Sequence, residues 1–311
     1  MSTNNIILTI VEPDTHPHEV VDRAVWLAGL TDCSLQLLLC DPEIGPLQDR
    51  WYVSAEAKEI GQRIQAAQSE MIEELAENAR DMGLTVKTGV LEERPMAEAI
   101  MARILDVNPS YVVKGTEYHS AAERAIFVDT DWQLIRSCPC PLYLVKPQEI
   151  RENPVIIAAV DPTHGHDKPA ALDQIIIDNA RRIAEPSSGE VHLLHTYHRL
   201  TGIGREATRT FKPIEIPIDE LDQKIRAEHR ARLDELAAKN GFAKEFVHQL
   251  PGRTRELLPA FARSRKADLV VMGALARWGW RRAILGSTAE RVLDHLPCDV
   301  LIVRPALDQA D

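Results

Sequence analysis

The sequence is short of basic charge, and this deficit limits its partners. It has 36 Lys and Arg residues against 47 Asp and Glu residues, a formal net charge of −11. General nucleic-acid binders and anionic-membrane binders both depend on basic surfaces, so we expect neither partner. The sequence lacks any run of about 18 apolar residues, and its opening MSTNNIILTIVEP has no basic region followed by a long apolar segment. We therefore expect a cytoplasmic protein.

Cysteine is also scarce. The five cysteines are an odd number spread over a long chain, which fits a reducing compartment rather than a disulfide framework. Cys138 and Cys140 flank Pro139, but no Cys or His pair at zinc-finger spacing accompanies them, so we expect no metal there. The run His164-Gly165-His166-Asp167 leaves two interpretations open, zinc or phosphate binding on the one hand and a solvated loop on the other.

An internal duplication organises the chain. Its 311 residues are about twice the common domain size, and 45% apolar with 27% charged residues is typical of a soluble globular protein. A constant offset of 158 residues aligns the two halves without a gap. The aligned pairs include Gly83 and Gly241, Val112 and Val270, Gly115 and Gly273, Arg124 and Arg282, Thr130 and Thr288, Cys140 and Cys298, and Val145 and Val303. We predict two domains, residues 1–147 and 153–307, with 146–154 as the charged linker.

Each half has the pattern βαβαβαβαβ. The predicted strands are Ile6–Val11, Ser34–Cys40, Leu84–Leu91, Tyr111–Lys114 and Leu142–Val145, then Val155–Val160, Glu190–Thr196, Glu245–Leu250, Leu269–Met272 and Val300–Val303. The predicted helices are Val20–Leu30, Lys58–Met82, Pro95–Leu105 and Asp131–Ser137, then Ala170–Ala184, Glu220–Lys239, Arg255–Ser264 and one that begins at Gly286. Such alternation predicts an α/β fold of two flavodoxin-like, Rossmann-like domains. Each has a five-stranded parallel sheet with helices on both faces.

The segment 268–305 has features suited to a phosphate. Gly273 ends a buried strand and permits close approach of the backbone to a ligand. Arg277, Arg281 and Arg282 add positive charge, and Gly286-Ser287-Thr288 begin a helix, whose unpaired N–H groups attract anions. The structural alternative is an ordinary strand-turn-helix with glycine at a tight turn. In sheets of this kind ligands bind beyond the carboxyl ends of the strands, so Asp161 and Gly273 are expected at one crevice.

The spacing Gly273-x2-Ala276-x9-Gly286-Ser287 resembles the nucleotide loop of the universal stress protein family. Ala276 replaces the second glycine of that pattern, which weakens binding rather than abolishing it. The resemblance covers both halves, and the segment FVDTDWQLIR (127–136) is similar to the tandem, UspE-like members. It implies the strand order 3-2-1-4-5 in the sheet of each half, and ATP, with Mg²⁺, in the second half. The predicted binding residues are Asp161, Pro162, Thr163, Thr196, Gly273, Ala276, Arg277, Gly286, Ser287 and Thr288. Asp161 would contact adenine or ribose, although Asp-Pro is also a common turn at strand ends.

The first half departs from the nucleotide loop. Val128 stands where the second half has Gly286, and Asp129 stands in place of Ser287. A carboxylate about 4 Å from a phosphate costs ~1 kcal/mol even in bulk water. We therefore predict no ATP in the first half.

The resemblance also implies how the halves assemble. The last strands, Leu142–Val145 and Val300–Val303, are expected to pair at a sheet edge, which avoids an exposed apolar edge. The result would be an intramolecular pseudo-dimer, with a further homodimer left open.

Three functions follow from the sequence. The first is a stress-response regulator that binds an adenine nucleotide in its second half and turns it over slowly at most, since no general base stands out. The second is an ATP-independent binding module for a small apolar ligand or a protein partner, in which the long connections 41–54 and 197–217 roof a cavity. The third, an adenine-nucleotide-dependent enzyme, lacks a recognised nucleophile, so we expect no catalytic residues.

Overall fold

The computed structural model describes residues 4–41, 55–91, 93, 95–116, 130–163, 171–199, 218–273, 276–277, 284–285, 292–293 and 295–305. The chain divides into two units. Unit 1 comprises Met1–Arg151 with Cys298–Ala306, and unit 2 comprises Glu152–Pro297 with Leu307–Asp311. The break thus lies within the predicted linker, while the last strand of the chain groups with unit 1. The exact domain limits 1–147 and 153–307 stay a prediction.

Unit 1 contains strands β1 (Asn4–Val11), β2 (Ser34–Cys40), β3 (Val86–Leu91), β4 (Pro109–Gly115), β5 (Leu142–Val145) and the chain's last strand, β12 (Asp299–Val303). Its helices are α1 (Pro17–Thr31), α2 (Ala55–Asp81), α3 (Met96–Val107) and α4 (Thr130–Ser137). The strands follow the order β3-β2-β1-β4-β5-β12. The first five are parallel in the predicted order 3-2-1-4-5, which is confirmed.

The pairing expected for the two last strands is also confirmed. β12 runs antiparallel to β5, with Leu301 opposite Tyr143. Asp299, at the start of β12, is fully buried, and Arg23 on α1 holds its carboxylate at 2.7 Å. Tyr143 donates its hydroxyl to the same carboxylate at 3.0 Å, and the Lys146 amide donates to its other oxygen at 2.8 Å. A buried carboxylate needs such partners, so these contacts hold β12 in unit 1.

Unit 2 repeats the first four strands of the pattern. It contains β6 (Val155–Ala159), β7 (Glu190–Tyr197), β8 (Val247–Pro251) and β9 (Leu269–Gly273), parallel and in the order β8-β7-β6-β9. Its helices are α5 (Ala171–Ala184), α6 (Ile218–Lys239) and α7 (Thr254–Arg265), with a 3-10 turn at Lys244–Phe246. That turn delays β8, which begins two residues later than predicted.

The short antiparallel ladder of β10 (Ala276–Arg277) and β11 (Ile284–Leu285) follows β9. The sequence predicts only a loop there. Two-residue strands lack the length that hydrophobic alternation needs to be visible.

The core of unit 1 explains why its elements fold this way. In β1 and β4, Ile7, Leu8, Val112 and Val113 are fully buried, as expected for continuous apolar runs in a parallel sheet. Across α1, Val20, Ala24, Leu27 and Ala28 are buried at helical spacing and pack toward the strands. Each fully buried leucine or isoleucine contributes roughly 1.5–3 kcal/mol of transfer free energy.

Within the described residues, no helix has the length and apolar composition to cross a bilayer.

Candidate functional site

The strand register of unit 2 brings three predicted site residues to one edge of the sheet. Ala159 on β6 lies beside Met272 on β9 and beside Leu194 on β7. Gly273 directly follows Met272 in the chain. Asp161 lies two residues after Ala159, and Thr196 lies two residues after Leu194. Because these strands are parallel, their carboxyl ends share one edge. Asp161 and Gly273 therefore lie at the ends of adjacent strands, where the topology predicts a crevice.

Asp161 is held by hydrogen bonds on both sides. Its backbone N–H donates to Oδ1 of Asp173 at 2.9 Å, and its own Oδ1 accepts a hydrogen bond from the Thr163 hydroxyl at 2.8 Å. Asp173, on α5, is buried, so α5 fixes the turn that follows β6. The side chain of Asp161 is 19% exposed and retains surface for a ligand. Asp161 is thus both a turn residue and an accessible carboxylate, and the two interpretations of Asp161 are compatible.

Two histidines behind Asp161 form a hydrogen-bonded pair that the sequence reasoning missed. His195, on β7 and 1% exposed, has Nδ1 at 3.1 Å from the Val160 carbonyl and at 3.9 Å from Oδ1 of Asp161. Its Nε2 lies 2.7 Å from Nδ1 of His229 on α6, with the rings nearly parallel at 18°. A carbonyl only accepts, so Nδ1 of His195 carries the proton and its Nε2 accepts from His229. The sequence feature that could have revealed this pair is a histidine directly before Thr196, which ends the predicted strand.

Burial keeps this pair neutral. It lowers the pKa of His195, an effect that the Val160 carbonyl and the Asp161 carboxylate oppose without cancelling. Burial likewise lowers the pKa of His229, against the attraction of Asp161. The pair therefore adds hydrogen-bonding capacity beside Asp161 without adding charge near neutral pH.

Thr196 and Gly273 face close neighbours. Oγ1 of Thr196 lies 2.6 Å from Oγ1 of Thr254, the first residue of α7. Gly273 has no space for a side chain, because a Cβ there would approach Cδ2 of Leu172 to 2.7 Å. The glycine thus permits close packing of α5 against the end of β9, which is a structural reason for glycine independent of any ligand.

The remaining predicted residues are described in part or not at all. Ala276 and Arg277 form β10, with Ala276 opposite Leu285 and Arg277 opposite Ile284. Gly286, Ser287 and Thr288 lie outside the described residues, as do His164, His166 and most of the connections 41–54 and 197–217. Among the described residues, no group of three or more His, Cys, Asp or Glu side chains could hold a metal ion.

A cavity of about 380 Å³ adjoins the turn after β6. It shares Pro162 and Thr163 with the predicted site and extends along α6. Most of its lining is charged: Pro162, Thr163, Asp173, Glu228, Arg232, Glu235, Leu236 and Lys239. Such a lining suits a polar ligand better than an apolar one.

The equivalent strand ends of unit 1 are occupied by an ion cluster. Lys114, the counterpart of Met272, is buried on β4, and its Nζ lies 2.6 Å from a carboxylate oxygen of Glu12 and 2.6 Å from one of Asp131. Burial by itself lowers the pKa of Lys114, but Asp131 and Glu12 outweigh it and raise that pKa above its ordinary value. The lysine is therefore charged and neutralised by internal carboxylates.

Backbone also covers the counterpart of Gly273. A Cβ on Gly115 would lie 2.5 Å from the carbonyl oxygen of Thr15, in the turn after β1. Thr15 is tied to that turn by donating its N–H to the Glu12 carbonyl at 3.2 Å. Main chain thus packs against Gly115 in unit 1, whereas the Leu172 side chain packs against Gly273 in unit 2.

The comparison with known proteins identifies the family. The model of the universal stress protein family matches residues 3–146 and again residues 154–304. The chain belongs to the universal stress protein family. Both the family and its predicted tandem arrangement are confirmed, since each half matches separately.

Two of the relatives of this universal stress protein match nearly the whole chain, and a third matches about half of it. Universal stress protein E of Escherichia coli K12 is 28% identical over 313 residues, covering 96% of this chain and 93% of that protein. A solved structure of a universal stress protein from Pseudomonas aeruginosa UCBPP-PA14 superposes with a TM-score of 0.72 at 26% identity, over 97% of this chain and 94% of the other. Universal stress protein MJ0531 of Methanocaldococcus jannaschii is 30% identical over 145 residues, covering 47% of this chain and 80% of that protein. The predicted resemblance to UspE-like tandem members is thereby confirmed.

Proposed function

We propose that this protein is a cytoplasmic stress-response regulator whose second half binds an adenine nucleotide, ATP with Mg²⁺, at the strand ends of unit 2. The observation that carries the proposal is the placement of Asp161, partly exposed, at the end of β6 beside Gly273 at the end of β9. An ionised carboxylate accepts hydrogen bonds from adenine N–H or ribose hydroxyl groups. The crevice beyond adjacent parallel strands is the usual ligand position in such sheets.

The phosphates would lie toward the segment that follows β9. Arg277 supplies positive charge there, and Gly286, Ser287 and Thr288 supply backbone N–H groups and hydroxyls at the predicted helix start. Binding would bring charge to a chain already at −11, so local cations and Mg²⁺ matter to affinity. The proposed role is regulation by binding rather than turnover.

Unit 1 is proposed to bind no nucleotide. Lys114 is a cation at its strand ends, and two carboxylates already neutralise it. Asp129 in place of Ser287 adds a repulsive charge. We expect one nucleotide per chain.

Isothermal titration with Mg-ATP tests the site. Ser287→Asp should weaken binding about tenfold or more, because like charges repel by ~1 kcal/mol at 4 Å in water and by more when partly buried. The matched control is Asp129→Ser, the reverse change at the equivalent position of the first half, which should leave affinity and stoichiometry unchanged. Identical heats from wild type and Ser287→Asp would count against the proposal.

The alternative, an ATP-independent module for an apolar ligand or a protein partner, receives less support. Six of the eight residues that line the described cavity are polar or charged. Native mass spectrometry of the purified protein distinguishes the two functions, since a copurified lipid would favour the alternative. The pseudo-dimer and a further homodimer remain predictions that light scattering can test.

A further inference from the structure

We propose that Cys138 and Cys140 are a redox-active dithiol that hydroperoxides oxidise to an intramolecular disulfide. Their Sγ atoms lie 3.6 Å apart in the Cys-Pro-Cys sequence that links α4 to β5. This oxidation site belongs to unit 1 and does not depend on the nucleotide site proposed for unit 2.

Hydrogen bonds hold the backbone on both sides of the pair, which keeps the two sulfurs close together. The Cys138 N–H donates to the Leu134 carbonyl at 2.8 Å, which ties it to α4. The Pro141 carbonyl accepts from the Val112 N–H at 2.9 Å, which ties the other end to β4. Between these anchors, Pro139 restricts the backbone further. Disulfide formation requires the sulfurs to close from 3.6 Å to about 2.05 Å.

The surroundings favour ionisation of one thiol of the pair. Arg304, just after β12, donates to the Ile135 carbonyl at the end of α4. The C-terminal end of a helix dipole is negative and disfavours a nearby thiolate, and the positive charge of Arg304 offsets this effect. The hydrogen bond from Cys140 lowers the pKa of Cys138, burial opposes this effect, and the charge of Arg304 adds to it. The contact with Cys138 raises the pKa of Cys140, and burial adds to that rise, so the first proton lost belongs to the pair and the remaining one is shared across the sulfur–sulfur contact.

The exposed fractions of the two cysteine residues assign their roles. Cys140 is 9% exposed and Cys138 is 1% exposed, so a small peroxide reaches Cys140 first. Transfer of the shared proton to Cys138 places the negative charge on Cys140. Its sulfur then attacks one peroxide oxygen, the O–O bond breaks, and the departing hydroxide is protonated to water. This leaves a sulfenic acid on Cys140.

Cys138 completes the reaction. It loses its proton, its sulfur attacks Sγ of Cys140, the S–O bond breaks, and the second hydroxide leaves as water. Two thiols and one hydrogen peroxide thus give one disulfide and two waters, with the cysteines oxidised and the peroxide reduced. Two of the other three thiols differ in their contacts, since Cys33 and Cys40 each donate to a backbone carbonyl, of Thr31 and Leu38 respectively.

Peptide mapping of the full-length protein tests the proposal. Folded protein is treated with hydrogen peroxide, denatured, alkylated with iodoacetamide and digested with trypsin. The bond from Lys146 to Pro147 resists trypsin, so peptide 137–151 contains both cysteines and no other. The expected product carries no alkyl group, lacks two hydrogens, and regains two alkylation sites after treatment with dithiothreitol. Peptide 137–151 that remains doubly alkylated, or forms the disulfide only in unfolded protein, would overturn the proposal.

Single variants test the assigned order. In Cys138→Ser, dimedone should trap a sulfenic acid on Cys140, whereas in Cys140→Ser the buried Cys138 should stay unlabelled. Cys33→Ser is the matched control, a buried cysteine outside the pair, and it should oxidise at peptide 137–151 like wild type. Dimedone on Cys138 alone would contradict the assigned order. The wild-type measurement stands even if a variant folds poorly.

Discussion

The carboxyl ends of the strands in unit 1 and unit 2 differ in what occupies them, although the strands arrive in the same order. In unit 1, Lys114 bridges Glu12 and Asp131, and the Thr15 carbonyl lies over Gly115. In unit 2, Met272 replaces the lysine, and a leucine side chain lies over Gly273. Asp161 remains partly exposed beside a neutral histidine pair. A duplicated scaffold can thus retain its strand order while the strand ends of one copy carry internal charge pairs that the other copy lacks at the matching position.

The largest expected difference concerns Lys114. Lys114→Met leaves Glu12 and Asp131 close together without their buried cation, which should reduce the free energy of unfolding by about 3–5 kcal/mol. The matched change at the equivalent position of unit 2, Met272→Leu, should cost less than about 1.5 kcal/mol. Urea unfolding measures both. A loss below about 1 kcal/mol in Lys114→Met would show that the ion cluster does not stabilise unit 1.

The second-largest expected difference is in the loss of stability when the strand-end glycines, Gly115 and Gly273, are replaced by alanine. Gly115→Ala brings a methyl group against the Thr15 carbonyl, a backbone atom that cannot move without the turn, and should cost about 1–3 kcal/mol. Gly273→Ala meets the end of the Leu172 side chain, which can rotate, and should cost less, about 1 kcal/mol or below. Thermal unfolding of the two variants gives the ranking. Equal losses would mean that the covering atoms are equally movable.

The acidic residue after the first strand of each unit should affect nucleotide affinity only in unit 2, where that residue is Asp161. Asp161→Asn keeps the shape but removes the charge that strengthens its hydrogen bonds, so Mg-ATP binding should weaken about tenfold. Glu12→Gln, at the corresponding strand end of unit 1, should lower stability without changing the affinity of the folded protein. Titration calorimetry, at a temperature where circular dichroism shows both variants folded, checks this. Unchanged affinity in Asp161→Asn would move the site elsewhere.

The smallest expected effect is an opposite response of the units to acid. Burial lowers the pKa of His195 from 6.5, so the unfolded chain binds more protons and unit 2 loses stability as the pH falls below about 6.5. Burial raises the pKa of Asp299 from 3.8 to about 6, although Arg23 opposes the shift. The folded state then binds more protons, and this contribution to the stability of unit 1 grows as the pH falls through about 6.

Hydrogen exchange at about pH 7.5 and about pH 5.5, corrected for intrinsic rates, separates these responses. Peptides of β7 should lose protection at the lower pH, and peptides of β12 should not. His195→Gln should reduce the change in β7. Equal losses of protection in both strands would indicate a global effect of net charge instead.

Much of the fold was predictable because buried parallel strands can be recognised in a sequence as continuous apolar runs. The 158-residue offset, the strand order of unit 1 and the pairing of β5 with β12 were all expected from sequence and resemblance, and are confirmed. The two-residue strands β10 and β11 were not expected, since no periodicity can be detected over two residues.

The candidate site was predictable only where residues lie at strand ends. Asp161 and Gly273 are each adjacent to a strong strand signal, so topology alone places them side by side. His229 lies on α6, 34 residues after His195. The sequence alone does not show that the face of α6 that carries His229 packs against β7. Lys114 is 102 residues from Glu12, and the sequence singled out Asp129 rather than Lys114 as the obstacle in the first half.

From the sequence alone follow the duplication, the parallel α/β sheet and the prediction that the first half binds no polyanion, because repeats, periodicity and charge can be read along the chain before it folds. Tertiary structure decided which charges meet. It joined Lys114 to two carboxylates, turned two histidines toward each other behind Asp161, and brought Arg304 to the end of the helix that precedes Cys138. Electrostatic and hydrogen-bond energies depend on separation in space and on burial, and neither quantity exists until the chain has folded.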